Sequence, residues 1–121
     1  MMKFKTEVIV SVVTGRLYCN IDEIYKLLNF LTDDNLFTHQ LPRASYFCKP
    51  FLYSQFLWLY QINFDEYNTK NWRGWIKDII SKVGEEFEVD NIQTLKEWKY
   101  ISPINELINM RGGKNENIFI M

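Results

Sequence analysis

Val8-Ile9-Val10-Ser11-Val12-Val13 is the stretch on which the reading of the fold turns. It is β-branched at nearly every step, the composition of a central strand buried on both faces. Thr14-Gly15 breaks it, and Arg16 to Cys19 can return as a second short strand. Asn20 then has the chemistry of a helix N-cap, with Glu23 at the capping-box position. Ile21, Ile24, Leu27, Leu28 and Leu31 follow at helical spacing, and Thr32-Asp33-Asp34-Asn35 ends that helix in turn residues.

Pro42 suits the first turn of a second helix, which Pro50 either divides in two or kinks. Leu57 to Phe64 is too apolar and aromatic to assign by period; loop, strand and contact surface all fit it. Asn71-Trp72-Arg73-Gly74-Trp75 leads into Ile76, Ile79, Ile80 and Val83, an amphipathic helix stopped by Gly84. Phe87-Glu88-Val89 alternates as a strand does. Ser102-Pro103 opens a short helix that Gly112-Gly113 ends, and Ile118 to Met121 can close a sheet as an edge strand. The expected order is strand, strand, helix, helix, helix, strand, helix, strand. That pattern predicts an α+β fold, a small and mostly antiparallel sheet packed with helices, in a single domain over residues 1–121.

With 121 residues, 47% of them hydrophobic, the chain is long enough to bury a core. Aromatic residues reach 17%, so core and pocket alike should be rich in rings, and an oligomer would help to bury them. A net charge of −1 argues against sequence-independent binding to duplex nucleic acid, yet leaves room for a small phosphorylated ligand held by two or three cations. Cys19 and Cys48 lie far apart; two free thiols are expected rather than a disulfide. The apolar run near the N-terminus is too short for a signal peptide and no run is long enough to cross a membrane, so a cytoplasmic protein without a membrane partner is expected.

The densest polar chemistry lies in Asn35 to Ala44, Asn-Leu-Phe-Thr-His-Gln-Leu-Pro-Arg-Ala, which holds the only histidine, the only alanine and one of four arginines. Thr38, His39, Gln40 and Arg43 fall just where a helix begins, a common place for a ligand; an ordinary loop and helix cap would use the same residues. No metal site is expected, since one histidine and two distant cysteines do not make a zinc set and no acidic loop has calcium spacing. No cofactor is implied. Ser45, Ser54 and the cysteines sit in no recognisable nucleophile frame, and the lone imidazole excludes a two-histidine phosphodiesterase. Gly112-Gly113 follows a helix and so is no phosphate loop. Arg111 beside it suits closing over an anion, or pairing a helix C-terminus. Trp72 and Trp75, with Arg73 and Lys77 nearby, offer rings and cations of the kind a nucleotide needs, although a core or subunit interface uses the same spacing.

Val10-Ser11-Val12-Val13-Thr14-Gly15-Arg16-Leu17, the block Leu31 to Ala44 with its Thr38-His39-Gln40-Leu41-Pro42-Arg43, Cys48-Lys49-Pro50, and Ser102-Pro103-Ile104-Asn105-Glu106-Leu107 occur in the chain in that order. Together they resemble the first family of Thoeris anti-defence proteins from phages; serine stands at position 102 where that family has aspartate. The resemblance implies a sponge that binds, without cleaving, cyclic ADP-ribose isomers made by Toll/interleukin-1 receptor-domain enzymes in the infected bacterial cell. It also implies a homodimer or larger symmetric oligomer and, in some members, a separate site for cyclic di- or trinucleotides.

Such a ligand carries a purine, two riboses and a pyrophosphate. On this reading Arg43, with Arg16 or Arg111, pairs the phosphates, while Thr38, His39 and Gln40 meet ribose or base edges. Phe37, Trp72 or Trp75 stacks the purine, and Thr14 stands at the strand end before Arg16. An enzyme that degrades the same signals, and a protein–protein inhibitor with no small ligand, are the alternatives.

Overall fold

The computed structural model describes residues 1–64 and 71–110. Strand β1 (Met2–Lys5) runs straight into helix α1 (Thr6–Thr14), followed by α2 (Ile21–Thr32), a 3₁₀ turn at Thr38–Gln40 and α3 (Leu41–Gln55). A second 3₁₀ segment (Leu57–Gln61), α4 (Trp72–Val83), β2 (Glu86–Val89), α5 (Ile92–Glu97) and α6 (Pro103–Met110) complete the order. The result is a small α+β fold, mostly helical, with one two-stranded antiparallel sheet among the described residues. Met2 pairs with Val89, Lys3 with Glu88, Phe4 with Phe87 and Lys5 with Glu86. Opposite charges therefore face each other across two positions of the ladder.

The expected strand Val8–Val13 is a helix. Its residues are buried on every side, including Ser11, so the segment has no polar face from which a period could be read. β-Branched side chains cost a helix a few tenths of a kcal/mol each, roughly, and full burial against α2, α3 and α4 outweighs that. The hydroxyls that a buried helix must satisfy turn back on its own carbonyls: Ser11 Oγ donates to Glu7 O at 2.6 Å and Thr14 Oγ1 to Val10 O at 2.7 Å. The expected strand at Arg16 to Cys19 is instead a single bridge residue, Arg16, followed by a bend at Tyr18 and Cys19, pinned where Tyr18 N–H donates to Ser11 Oγ at 3.0 Å.

α1 separates two apolar clusters. On one side Val8, Ile9, Val12 and Val13 pack with Ile24, Leu27, Leu28 and Leu31 of α2 and with Leu41, Ala44, Cys48 and Leu52 of α3. On the other Val10 meets Tyr18, Ile76 and Ile79. The only alanine, Ala44, lies with Ser45 on the buried side of α3, a small-residue face that lets helices approach closely. Pro50 lies on the exposed side, and α3 runs through it as one helix.

The helix expected over Ile21 to Leu31 is α2, although Asn20 caps it by backbone alone: Glu23 N–H donates to Asn20 O at 3.0 Å and no side-chain cap bond forms. Leu57 to Gln61 is 3₁₀, and Phe87–Val89 belongs to β2 as expected. Gly84 ends α4, while β1 and α5 have no counterpart in the expected order. Both cysteines are free. Among the described residues no helix is long and apolar enough to cross a membrane. Gly112-Gly113 and the strand expected at Ile118 to Met121 lie outside the described residues.

Two glycines should respond in opposite directions. Gly15 caps α1 with φ 74°, where a Cβ costs about 1 kcal/mol, so Gly15→Ala should lower the denaturant midpoint. Gly74 sits inside α4, where an added Cβ would meet nothing within 4 Å, and Gly74→Ala should raise stability by about 0.5–1 kcal/mol.

Candidate functional site

The Thr38–Arg43 block is occupied by the chain itself. The 3₁₀ turn at Thr38–Gln40 leads directly into α3, with Pro42 in its first turn. Gln40 is 1% exposed, and its amide is fully used: Oε1 accepts Phe37 N–H at 2.9 Å, while Nε2 donates to Ile101 O at 3.0 Å and Glu106 Oε1 at 3.3 Å. Arg43 donates from Nε to Glu106 Oε1 at 3.0 Å and from Nη1 to Lys99 O at 3.0 Å. Its guanidinium lies 4.1 Å from the centre of the Trp98 ring. Trp98 is held in turn by Nε1 donating to Asp34 Oδ2 at 3.1 Å and by an edge contact with Phe47.

His39 Nε2 donates to Pro103 O at 2.7 Å, because a carbonyl can only accept. The Thr38 hydroxyl bonds Tyr25 of α2. Phe37 is exposed, with its ring near that of His39. Four of the five expected ligand groups in this block are therefore bonded within the chain, and three of them grip residues 99–106. The residue that sequence reasoning missed is Glu106, 3% exposed, whose carboxylate is the centre of the cluster. Its signal was the Ser-Pro-x-x-Glu-Leu element: a buried acid must find a cation.

Trp72 and Trp75 belong to a different place. Both lie on the face of α4 that meets Tyr18, at ring-centre distances of 5.8 and 5.5 Å. Trp72 lines a cleft of about 490 Å³ whose other walls include Lys5, Glu7, Tyr18, Cys19, Asn20, Glu23 and Arg73. Arg73 stands 4.9 Å from the Trp72 ring centre. Thr14 and Arg16 set the turn that enters this cleft, Arg16 N–H donating to Thr14 Oγ1 at 3.3 Å. The cleft thus joins flat aromatic surface, two cations and two carboxylates. Of the expected site residues described, only Trp72 lines this cleft: Trp75 lines a second pocket with Trp58, Ile62 and Ile79, Thr14 and Arg16 lie just before the turn that enters the cleft, and none of Phe37 to Arg43 reaches it. Arg111 lies outside the described residues.

Burial pushes the Cys19 thiol from its ordinary 9.0 up to about 11, with Ser11 beside it pulling the other way. Burial alone takes Cys48 to about 12. Neither thiol is an activated nucleophile.

Two measurements follow from these contacts. An unfolded chain ionises both thiols from about pH 9, while the folded chain holds them protonated, so the stability they contribute is complete below that pH and lost as pH rises through about 11 for Cys19 and about 12 for Cys48. Denaturant midpoints between pH 8 and 11 should fall, and Cys48→Ser should flatten the slope. Arg43→Ala leaves the Glu106 carboxylate buried without its cation, a loss of about 3 kcal/mol if the segment stays docked. Undocking of residues 98–110 limits that loss, so amide exchange should accelerate there while α1 and α2 keep their protection.

A family model described as a domain of unknown function (DUF7736) matches residues 4–61, from β1 through the second 3₁₀ segment. The match includes Thr14, Arg16 and the Thr38–Arg43 block, and ends before Trp72 and Arg73. No curated protein and no solved structure matches the chain.

Proposed function

We propose that this protein is a phage anti-defence sponge that binds and sequesters a cyclic ADP-ribose isomer without cleaving it, blocking Thoeris signalling in the cytoplasm of an infected bacterial cell. The observation that carries the reading is the Trp72 cleft, where rings, cations and carboxylates line one volume of about 490 Å³. A purine stacks on the exposed part of Trp72, as bases do on aromatic platforms. Lys5 and Arg73 offset the charge of the pyrophosphate. Glu7 and Glu23 accept ribose hydroxyls, and those carboxylates disfavour ligands that bring phosphate without sugar. Cyclic di- and trinucleotides share this ring-and-phosphate chemistry and form a second ligand class under the same reading.

Arg43 has no part in this scheme, since its Nε and Nη1 are already bonded to Glu106 and Lys99. The reading includes a symmetric homo-oligomer, for which Leu57, Tyr60 and Ile104 supply exposed apolar surface.

The test is capture and release. The protein is incubated with a cyclic ADP-ribose isomer, filtered, heat-denatured, and the released material identified. Intact ligand supports the sponge; an altered product identifies an enzyme of the same ligand class; ligand that never stays with the protein overturns the reading. Trp72→Ala should weaken capture about tenfold or more, from lost stacking worth about 1–3 kcal/mol; because the ring also packs on Tyr18, the denaturant midpoint should fall too, and capture is compared under conditions where both proteins are folded.

A further inference from the structure

α3 has one buried face, and its opposite face is not the polar one a surface helix ordinarily shows. Ala44, Ser45, Cys48 and Leu52 are turned to the core. The other side carries Tyr46, Lys49, Pro50 and Tyr53, at the i, i+3, i+4, i+7 spacing of a single helical face, with Lys49 the one charge among them. The 3₁₀ segment that follows packs on α3 and brings Tyr60 to Tyr53, ring centres 4.8 Å apart. These five side chains line a groove of about 370 Å³. Tyr46 is 82% exposed and Tyr60 70%, so most of this ring surface meets water.

Spacing and hydrogen-bonding capacity both select the occupant. Seven residues of α-helix carry Tyr46 to Tyr53, a rise of about 10.5 Å. A polyproline II helix repeats its face every third residue, about 9.3 Å, so successive residues of one face meet the two rings in turn. Its carbonyls make no internal hydrogen bonds and its prolines have no N–H, so it brings acceptors without donors. The groove is the complement. Among the described residues, the Tyr46, Tyr53 and Tyr60 hydroxyls and the Lys49 ammonium have no hydrogen-bond partner, and no carboxylate lines the groove. A second copy is a poorer match: a two-fold contact of this face with itself brings two Lys49 side chains into one apolar interface without an acid for either.

We propose that the groove between Tyr46, Tyr53 and Tyr60 docks a proline-rich segment of a partner protein in the polyproline II conformation, with Lys49 pairing an acidic residue beside the prolines. The prolines lie against the tyrosine rings and the hydroxyls donate to the segment's carbonyls, the arrangement by which aromatic grooves read a chain that is already ordered before it binds. The groove is separate from the Trp72 cleft, and the proposal does not rest on the sponge reading.

The probe is an end-blocked peptide, Pro-Pro-Pro-Glu-Pro-Pro-Pro, titrated by calorimetry into the full chain, with Gly-Ser-Gly-Glu-Gly-Ser-Gly as the control. The proline peptide should bind at least tenfold more tightly than the control. Tyr46→Ala should weaken it at least tenfold without changing the denaturant midpoint by more than a surface substitution does, since that ring is exposed. Lys49→Glu should weaken the peptide severalfold and reverse its preference, so that the version with Lys in place of Glu binds this variant more tightly than it binds the unmodified chain. Equal affinity for the proline and glycine peptides, binding that survives Tyr46→Ala, or an unreversed preference in Lys49→Glu would each overturn the proposal. Sedimentation velocity of the unmodified chain and Tyr46→Ala should agree; an assembly that Tyr46→Ala dissociates means that a second copy fills the groove, and overturns it equally.

Discussion

Complete enclosure of α1 is the constraint on which the other elements depend. Its central residues, from Val8 to Val13, leave no side open to water, so α2 and α3 must cover one flank and α4 the other. A buried helix brings in no unpaired backbone groups except at its ends. Those ends are closed by neighbours: Thr6 N–H donates to Glu85 O at 2.9 Å, its hydroxyl reaches Gly84 O, and Gly15 N–H returns to Ser11 O. The turn after Gly15 is then fixed by Ser11, whose hydroxyl both donates to Glu7 and accepts from Tyr18. That bond places the Tyr18 ring against Trp72 and Trp75, and so shapes the cleft from within the core.

How far the fold could be read from sequence depended on whether a segment had two unlike faces. Ile21 to Leu31 alternates apolar and polar positions at helical spacing, and α2 follows that period. Val8 to Val13 has no polar face, so its period carries no information, and β-branched composition pointed to the wrong element. Full burial decided its form, and burial is a property of the neighbours rather than of the segment. Pro50 left one helix or two open, and the chain takes one, because an exposed proline can sit in a helix whose core-facing bonds are intact.

The candidate site was legible as chemistry and not as geometry. Thr38, His39, Gln40 and Arg43 were identifiable as a concentration of hydrogen-bonding groups, and the structure does bring them to one place. What they bind is separated from them by about sixty residues: Glu106 lies 63 positions after Arg43, and Pro103 lies 64 after His39. Nothing local distinguishes a side chain that meets a ligand from one that meets a distant carbonyl of its own chain. The tryptophans were placed more fairly, since Trp72 and Trp75 share a helical face and Tyr18 lies against both.

The pairing of β1 with β2 has a consequence for the order of events during synthesis. Met2 to Lys5 has no other strand partner among the described residues, and Glu86 to Val89 leaves the ribosome more than eighty residues later. Until then α1 can gather α2 and α3, but its Val10 flank has neither Ile76 nor Ile79 to cover it. The nascent chain therefore carries an apolar helix face in waiting, and the long closure between the two strands is a late step of folding. For several seconds at bacterial or slower elongation rates of about 5–20 residues per second, that face is what a chaperone or another unfinished copy would meet.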